Sequence, residues 1–257
     1  MKLPSKFLLA VAGSLVLLGA GSAMAGSQAP VKAANVVLVH GSWADGSSWS
    51  EVIPRLQAAG LNVTAVQNPL TSVADDVAAT QRVLDQQKGP TVLVGHSYAG
   101  TVVSEAGIDP KVSSLVYVAA RAPDANEDFV ALSARYPTMP VRAGVEEHAG
   151  YLTLNQDAFL KYFADDVPRE KALALHAVQQ PIAKTLFNGR TSAAAWHDKP
   201  SWYAVSSEDQ TISPDLQRFL AKRMAATTIE LPAGHLSLVS RAEDIADLIL
   251  EAAGVSQ

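Results

Sequence analysis

Hydrophobic residues along the chain fall into two alternating patterns, short continuous runs and longer amphipathic segments. Continuous runs are typical of strands buried on both faces of a sheet, and apolar positions at helical spacing are typical of packed helices. The runs predict six strands, at residues 36–39, 61–66, 91–94, 112–119, 202–205 and 227–231. The amphipathic segments predict helices at residues 48–59, 72–87, 98–106, 214–224 and 241–253. This alternation predicts an α/β fold with six mostly parallel strands and flanking helices.

The alternation is interrupted once, between residues 121 and 199, a segment that we call the insertion. It contains several prolines, no clear buried strand, and weakly amphipathic pieces at residues 158–163 and 169–178. These features predict a helical insertion after the fourth strand. Because ligands bind at the carboxyl ends of the strands in such sheets, we expect the insertion to form a lid over that edge.

The N-terminal residues have the parts of an export signal. Two lysines precede an apolar stretch at residues 7–18, and Ala23 and Ala25 are the small residues that a signal peptidase requires. The apolar stretch is too short to span a hydrocarbon core of about 30 Å comfortably, which argues against a membrane anchor. We therefore expect residues 1–25 to be removed as a signal peptide, residues 26–257 to form the folded domain, and the protein to be secreted or periplasmic.

Composition and charge narrow the classes of function. The chain has 257 residues, 48% of them hydrophobic and 18% charged, which suits one large domain with its own core. A net charge of −5 without a basic run makes nucleic acids and anionic membrane surfaces poor partners. The absence of cysteine excludes disulfides, cysteine-based zinc sites and a thiol nucleophile. The histidines of the insertion are unevenly spaced and lack a matching cluster of acids, so no metal site is predicted.

The third strand leads directly into a candidate nucleophile. Residues 95–100 read Gly-His-Ser-Tyr-Ala-Gly, which places Ser97 between small residues where the strand turns into a helix. This is the layout of a nucleophile elbow, in which a strained backbone exposes the serine hydroxyl above the sheet. Gly95 and Ala99 face each other across the turn, and the usual motif has glycine at the position of Ala99. A strand, turn and helix without any chemistry is the alternative interpretation.

The ends of other strands supply the partners that a serine nucleophile needs. His235 follows the last strand and can act as the base that takes the serine proton. Enzymes with this arrangement have their catalytic residues in the order serine, acid, histidine along the chain, which points to the acids after the fifth strand. We prefer Asp209 as the acid. Glu208 beside it and Asp124, after the fourth strand, are the two alternatives.

Each of these groups has an expected role in acyl transfer. Ser97 attacks a carbonyl carbon, and His235 takes the serine proton and returns it to the leaving alkoxide. Asp209 holds the imidazole in the required tautomer and stabilises its cation. The backbone N–H groups of Ser42 and Tyr98, each just after a strand, are the natural donors to the oxyanion that forms.

Together these motifs resemble those of the α/β-hydrolase superfamily. The matching residues are His40-Gly41-Ser42-Trp43, residues 95–100, Asp209 followed by residues 211–214, and Gly234-His235. Residues 35–253 look most like the compact single-domain members that include plant methylesterases, hydroxynitrile lyases and related bacterial esterases. The resemblance implies a cofactor-free enzyme with a helical lid and a small-molecule ester as its partner. It also implies that Ser42 and Tyr98 are the oxyanion donors and that Trp43 lines the substrate pocket, where we also expect Leu236.

Ester hydrolysis is the function we expect, and several alternatives stay open. A lactonase would use the same groups on a cyclic ester. A hydroxynitrile lyase of the resembling group would carry a lysine just after the histidine, where this chain has Leu236. A cofactor-free haloperoxidase or perhydrolase would share the three reacting residues. A non-catalytic binding protein could keep the fold, but it would have no need of Ser97, His235 and Asp209 together.

Overall fold

The computed structural model describes Met1 and residues 31–255. The proposed signal peptide, residues 1–25, therefore lies outside the described residues apart from Met1. None of the helices between residues 31 and 255 has the length and apolar character that crossing a bilayer requires.

The described residues form a six-stranded central sheet and a three-stranded sheet within the insertion. The strands are β1 (Asn35–Val39), β2 (Asn62–Val66), β3 (Thr91–His96), β4 (Val112–Val118), β5 (Val145–His148), β6 (Tyr151–Leu154), β7 (Ile182–Ala183), β8 (Ser201–Ser206) and β9 (Thr227–Leu231). The central sheet has the order β2-β1-β3-β4-β8-β9, and every neighbouring pair is parallel. The predicted parallel sheet is confirmed.

Helices flank the central sheet, as the amphipathic segments predicted. In chain order the helices of the described residues are α1 (Ile53–Ala58), α2 (Val73–Gln86), α3 (Ala99–Ala106), α4 (Phe129–Ser133), α5 (Gln156–Ala158), α6 (Arg169–Ala177), α7 (Pro214–Arg223), α8 (Ser237–Ser240) and α9 (Ala242–Ala252), of which α4, α5 and α6 lie within the insertion. Helix α2 begins after Ser72 because the Ser72 hydroxyl caps the helix, accepting a hydrogen bond from the N–H of Asp75 (3.0 Å). The apolar side chains of Val73 and Leu84 are then buried on one face of the helix.

The core is formed where the central strands are covered on both faces. Val36, Val37 and Leu38 are consecutive in β1 and all are fully buried. Successive side chains of a strand point to opposite faces, so a buried run of this kind requires packing on both sides of the sheet. The continuous apolar runs in the sequence are the direct signature of this arrangement.

The insertion contains helices and, in addition, strands that the sequence analysis did not predict. Strands β5, β6 and β7 form a small antiparallel sheet, and residues 159–163 continue α5 as a single π-helical segment. These strands are two to four residues long and most of their positions are partly exposed. They therefore lack the buried apolar run from which the other strands were predicted.

The register of the central sheet brings several loops together at its carboxyl edge. Val39, the last residue of β1, pairs with Gly95 of β3. Ser206, the last residue of β8, pairs with Leu231, the last residue of β9. The loops that follow these strands carry the candidate functional residues, so the sheet places them along one edge.

Candidate active site

Ser97 lies in a tight turn between β3 and α3. Its φ angle is +57°, in the left-handed region that strains a residue with a side chain. The Ser97 N–H donates to the carbonyl of Val118 (3.1 Å), and the Ser97 carbonyl accepts from the N–H of Arg121 (2.9 Å). The strained turn is thus held in place by the end of the neighbouring strand β4.

Small residues allow the strand and helix to approach each other at this turn. A Cβ atom on Gly95 would lie 2.7 Å from Cγ2 of Val103 and 2.9 Å from the carbonyl oxygen of Ala99. No side chain fits in that space without moving α3 away from β3. Ala99 itself is fully buried, so the turn accommodates its methyl group in place of the usual glycine.

A continuous series of hydrogen bonds links Ser97, His235 and Asp209. His235 Nε2 lies 2.9 Å from Ser97 Oγ, and His235 Nδ1 lies 2.7 Å from Asp209 Oδ2. The side chains of His235 and Asp209 are fully buried. In this geometry the Asp209 carboxylate accepts a hydrogen bond from the N–H at Nδ1, which leaves Nε2 unprotonated and able to accept a hydrogen bond from the Ser97 hydroxyl.

Asp209 is fixed by more hydrogen bonds than the one to His235. Its Oδ1 accepts from the N–H groups of Thr211 (2.6 Å) and Ile212 (2.9 Å). Its Oδ2 also accepts from Nε2 of Gln217 (2.7 Å), a fully buried residue of α7. Together these donors hold the Asp209 carboxylate in one orientation.

The two alternative acids have other surroundings. Glu208 is exposed to solvent. Asp124 Oδ1 lies 3.0 Å from Nε2 of His197, and both side chains are about half exposed. The structure therefore brings Asp209 to His235, whereas Asp124 pairs with a different histidine.

The loop after β1 approaches Ser97 closely because Gly41 has no side chain. A Cβ atom there would lie 2.8 Å from Cβ of Ser97 and 3.0 Å from the carbonyl oxygen of His96. This approach brings Ser42 and Tyr98 to the cavity that Ser97 lines. Within residues 31–255, no hydrogen bond uses the backbone N–H of Ser42 or of Tyr98. Both N–H groups are available to a ligand oxygen.

The cavity beside Ser97 has a volume of about 420 Å³, which is the size of a site for a small molecule. The sheet edge contributes Ser42, Trp43, Ser97 and Tyr98 to its wall. The insertion contributes apolar side chains, among them Val141, Leu152 and Phe187, and an equal number of polar or charged ones. The structure therefore brings six of the predicted site residues together: Ser42, Trp43, Ser97 and Tyr98 line the cavity, and His235 and Asp209 lie behind Ser97.

Leu236 is not where the sequence analysis placed it. Its side chain is 1% exposed, and it lines a separate small void with Trp43, Phe159 and Phe163. The chain turns into α8 immediately after His235, and this turn directs Leu236 into the core behind the cavity. Leu236 is therefore not among the residues that line the cavity beside Ser97.

Two further histidines hold the loops of the site in place. His40 Nε2 accepts from the N–H of Asn68 (2.9 Å), and its Nδ1 lies 2.9 Å from the carbonyl of Gly41. His96 Nε2 donates to the carbonyl of His235 (3.0 Å). Burial lowers the pKa of both imidazoles, so they are neutral at neutral pH.

A buried acid supports the turn from below, and sequence analysis missed it. Asp76 of α2 accepts hydrogen bonds from the hydroxyl of Tyr98 (2.9 Å) and from the N–H of Leu70 (2.8 Å). Burial raises the pKa of Asp76 to about 6 and raises that of Tyr98 as well. The one sequence signal was an acid in the first turn of a helix, which is also the ordinary pattern of a helix N-terminus.

Among the described residues, no group of three or more His, Asp or Glu side chains could hold a metal ion.

Comparison with known proteins gives a family and several relatives. The model of the alpha/beta hydrolase family matches residues 36–248. A carbendazim-hydrolysing esterase from Nocardioides sp. is 32% identical over 113 residues, which cover 38% of this chain and 47% of that protein. Methylesterase 8 of Arabidopsis thaliana is 25% identical over 237 residues, 83% of this chain and 87% of that protein.

Solved structures show the same fold. The crystal structure of polyneuridine aldehyde esterase superposes with a TM-score of 0.72 at 17% sequence identity. The match covers 84% of this chain and 98% of the esterase. At this level of identity the likeness concerns the fold, and the chemistry has to be argued from the residues of this chain.

Proposed function

This chain belongs to the alpha/beta hydrolase family, and we propose that it is a carboxylic ester hydrolase that cleaves small esters with Ser97, His235 and Asp209. Membership confirms the resemblance that the motifs indicated. The esterases among the relatives support ester hydrolysis as the class of reaction. The observation that carries the proposal is the hydrogen-bonded series from Ser97 through His235 to Asp209 at the wall of a cavity.

In the first half of the reaction, Ser97 Oγ attacks the ester carbonyl carbon while His235 Nε2 takes the serine proton. The tetrahedral intermediate places its negative charge on the former carbonyl oxygen. The N–H groups of Ser42 and Tyr98 donate to this oxyanion, and removing one such donor typically costs roughly a hundred- to a thousand-fold in rate. The intermediate then expels the alkoxide, which takes the proton from His235 and leaves an acyl group on Ser97.

In the second half, water enters and His235 removes one of its protons as it attacks the acyl group. Collapse of the second intermediate releases the carboxylic acid and returns the proton to Ser97. Asp209 stays ionised throughout and stabilises the imidazolium in both halves. Its contacts with Thr211, Ile212 and Gln217 support this role because they hold the carboxylate in one orientation.

Hydrolysis of p-nitrophenyl esters from acetate to decanoate tests the proposal. We expect activity to be highest with short acyl chains, because the cavity is small. Ser97→Ala should lower kcat by at least about a thousand-fold. Ser206→Ala is a matched control, since Ser206 is also buried at the end of a strand and its hydroxyl has no partner among the described residues. Equal rates for Ser97→Ala and the wild type on every ester would contradict the proposal.

A further inference from the structure

Arg121 projects from the end of β4 into the wall of the cavity that Ser97 lines. Its backbone N–H donates to the carbonyl of Ser97 (2.9 Å), which fixes the start of the side chain beside the turn. Its guanidinium carbon lies 4.7 Å from the ring centre of Phe187, 5.1 Å from that of Phe129 and 6.0 Å from that of Tyr98. Aromatic rings therefore hold the guanidinium at the cavity wall.

Among the described residues, no acid neutralises Arg121. Within residues 31–255, the guanidinium of Arg121 makes neither an ion pair nor a side-chain hydrogen bond, and the same holds for Arg142. Arg142 lines the same cavity, and no aspartate or glutamate of the described part of the chain does. Lys184, the third basic residue in the wall, pairs with Glu147 (2.7 Å). The cavity beside Ser97 therefore carries positive charge without a counter-charge of its own.

Partial burial makes this arrangement less favourable in the absence of an anion. Burial lowers the pKa of Arg121 to about 10, and repulsion from Arg142 acts in the same direction. Arg121 is nevertheless a cation at neutral pH. A negatively charged ligand group in the cavity would relieve both effects, because it would supply a counter-charge and hydrogen-bond acceptors.

Arg223 shows that an arginine packed against aromatic rings can also have a carboxylate partner, so aromatic packing does not explain why Arg121 lacks one. Its guanidinium carbon lies 5.3 Å from the ring centre of Trp196 and 5.4 Å from that of Phe219. Unlike Arg121, it also forms two hydrogen bonds to the carboxylate of Glu127 (2.7 and 3.0 Å). Of two arginines that both pack against aromatic rings, Arg223 outside the cavity thus has a carboxylate partner, whereas Arg121 in the cavity wall has none.

We propose that the substrate is an ester that carries an ionised carboxylate elsewhere in the molecule, such as the monoester of a small dicarboxylic acid. The guanidinium of Arg121 binds this carboxylate, because its planar fork of N–H donors matches two carboxylate oxygens. Arg142 adds positive charge at the same wall. This inference rests on the proposed esterase activity and names the substrate class of the same site.

The test compares monoethyl succinate with diethyl succinate, which presents the same ester without the negative charge. We expect kcat/KM of the wild type to be higher for the charged monoester. Arg121→Gln should lower the ratio of the two kcat/KM values by roughly ten- to a hundred-fold, as is typical for losing hydrogen bonds to a charged group. Arg121→Lys should retain part of the ratio, because it keeps the charge and loses the fork.

Arg223→Gln is the matched control and should leave the ratio unchanged, since Arg223 is outside the cavity wall. Thermal melting of each variant checks that it is folded. A wild-type preference for the neutral diester, or the same ratio in folded Arg121→Gln, would overturn the inference while leaving the esterase proposal intact. Absence of Ser97-dependent hydrolysis of either ester would instead overturn the esterase proposal.

Binding without turnover tests the arginine independently of that outcome. Monoethyl succinate is titrated into Ser97→Ala and into the double variant Ser97→Ala/Arg121→Gln by calorimetry. We expect the double variant to bind roughly ten- to a hundred-fold more weakly. Equal affinities of the two proteins would overturn the inference, whether or not the wild type hydrolyses esters.

Discussion

The carboxyl edge of the central sheet and the insertion that packs against it are built differently. At the sheet edge, Ser97, Asp209 and His235 are 6%, 2% and 0% exposed, and hydrogen bonds join them. The insertion meets this edge mainly through packing, with Phe163 5.1 Å from His235 and Phe187 5.8 Å from Trp43 between ring centres. A hydrogen-bonded network specifies angles as well as distances, whereas apolar packing specifies mainly shape. On our proposal, the sheet edge determines the reaction and the insertion determines the substrate.

Arg121 belongs to both regions. Its backbone is bonded to the turn that holds Ser97, whereas its guanidinium packs against Phe129 and Phe187 of the insertion. A substrate carboxylate held by this side chain would thus be positioned relative to the reacting serine by a single residue. Changes at the sheet edge should therefore affect kcat most, and changes in the insertion should affect KM and substrate preference.

The largest expected effect is at the sheet edge, in Asp209→Asn. The asparagine amide would favour the wrong imidazole tautomer and would not stabilise the imidazolium, so kcat should fall by about ten thousand-fold. Steady-state hydrolysis of p-nitrophenyl acetate measures this loss. Glu208→Gln is the control, because it removes the neighbouring, exposed acid. Similar losses in the two variants would contradict the assignment of Asp209.

A smaller effect is expected in the insertion, from Phe187→Ala. The ring lies against Trp43, Tyr98 and Arg121 and lines the cavity, without contact to His235 or Asp209 among the aromatic contacts of the described residues. Its loss should raise KM for short esters by roughly ten-fold and shift the preferred acyl chain to longer esters, while kcat changes less.

Hydrolysis of the p-nitrophenyl ester series gives KM and kcat for each chain length, and Phe219→Ala provides a matched control. Phe219 is 39% exposed in α7 and does not line the cavity. A fall in kcat as large as that of Asp209→Asn would remove the distinction between the two regions. An unchanged chain-length preference would show that Phe187 does not shape the substrate site.

The smallest expected effect concerns the support below the sheet edge, at Asp76. Its pKa is about 6 in the folded protein and near 4 when unfolded, because burial disfavours the charged form. The unfolded state therefore loses this proton first as pH rises, and the free energy of unfolding should fall between pH 4 and pH 6 and level off above it. From pH 5 to pH 7 the fall attributable to Asp76 should be about 1 kcal/mol.

Urea denaturation of the wild type and of Asp76→Asn at pH 5 and pH 7 isolates this contribution. The asparagine does not titrate, so from pH 5 to pH 7 the free energy of unfolding should fall by about 1 kcal/mol less in the variant than in the wild type. An identical pH dependence in both proteins would show that Asp76 does not titrate in this range.

The parts of the fold and site that sequence could predict are those with a local signature. Ser97 was identified because β3 is a continuous apolar run that ends in a turn of small residues, and His235 because it follows another strand end. Whether Asp209 or Glu208 reaches His235 depends on the path of one loop, which residue types alone do not specify. Gln217 escaped notice because one buried amide in an amphipathic helix leaves no periodic signal.

The insertion was harder to predict for a related reason. Strands β5 to β7 are short and partly exposed, so they have neither the length nor the apolar run of the central strands. The burial of Leu236 outside the cavity could not be predicted, because the direction of its side chain depends on the start of α8. Nothing in the sequence distinguishes Arg121 from other charged residues, because its aromatic neighbours and its place in the cavity wall depend on the fold.

The most direct test of the central claim is covalent labelling of the serine with a fluorophosphonate, followed by intact-protein mass spectrometry and peptide mapping. The probe reacts with a serine hydroxyl that a neighbouring base activates. The account predicts one adduct per wild-type chain, located on Ser97, no adduct in Ser97→Ala, and much slower labelling in His235→Ala. Equal labelling of wild type and Ser97→Ala, or no labelling of a wild type that hydrolyses esters, would contradict it.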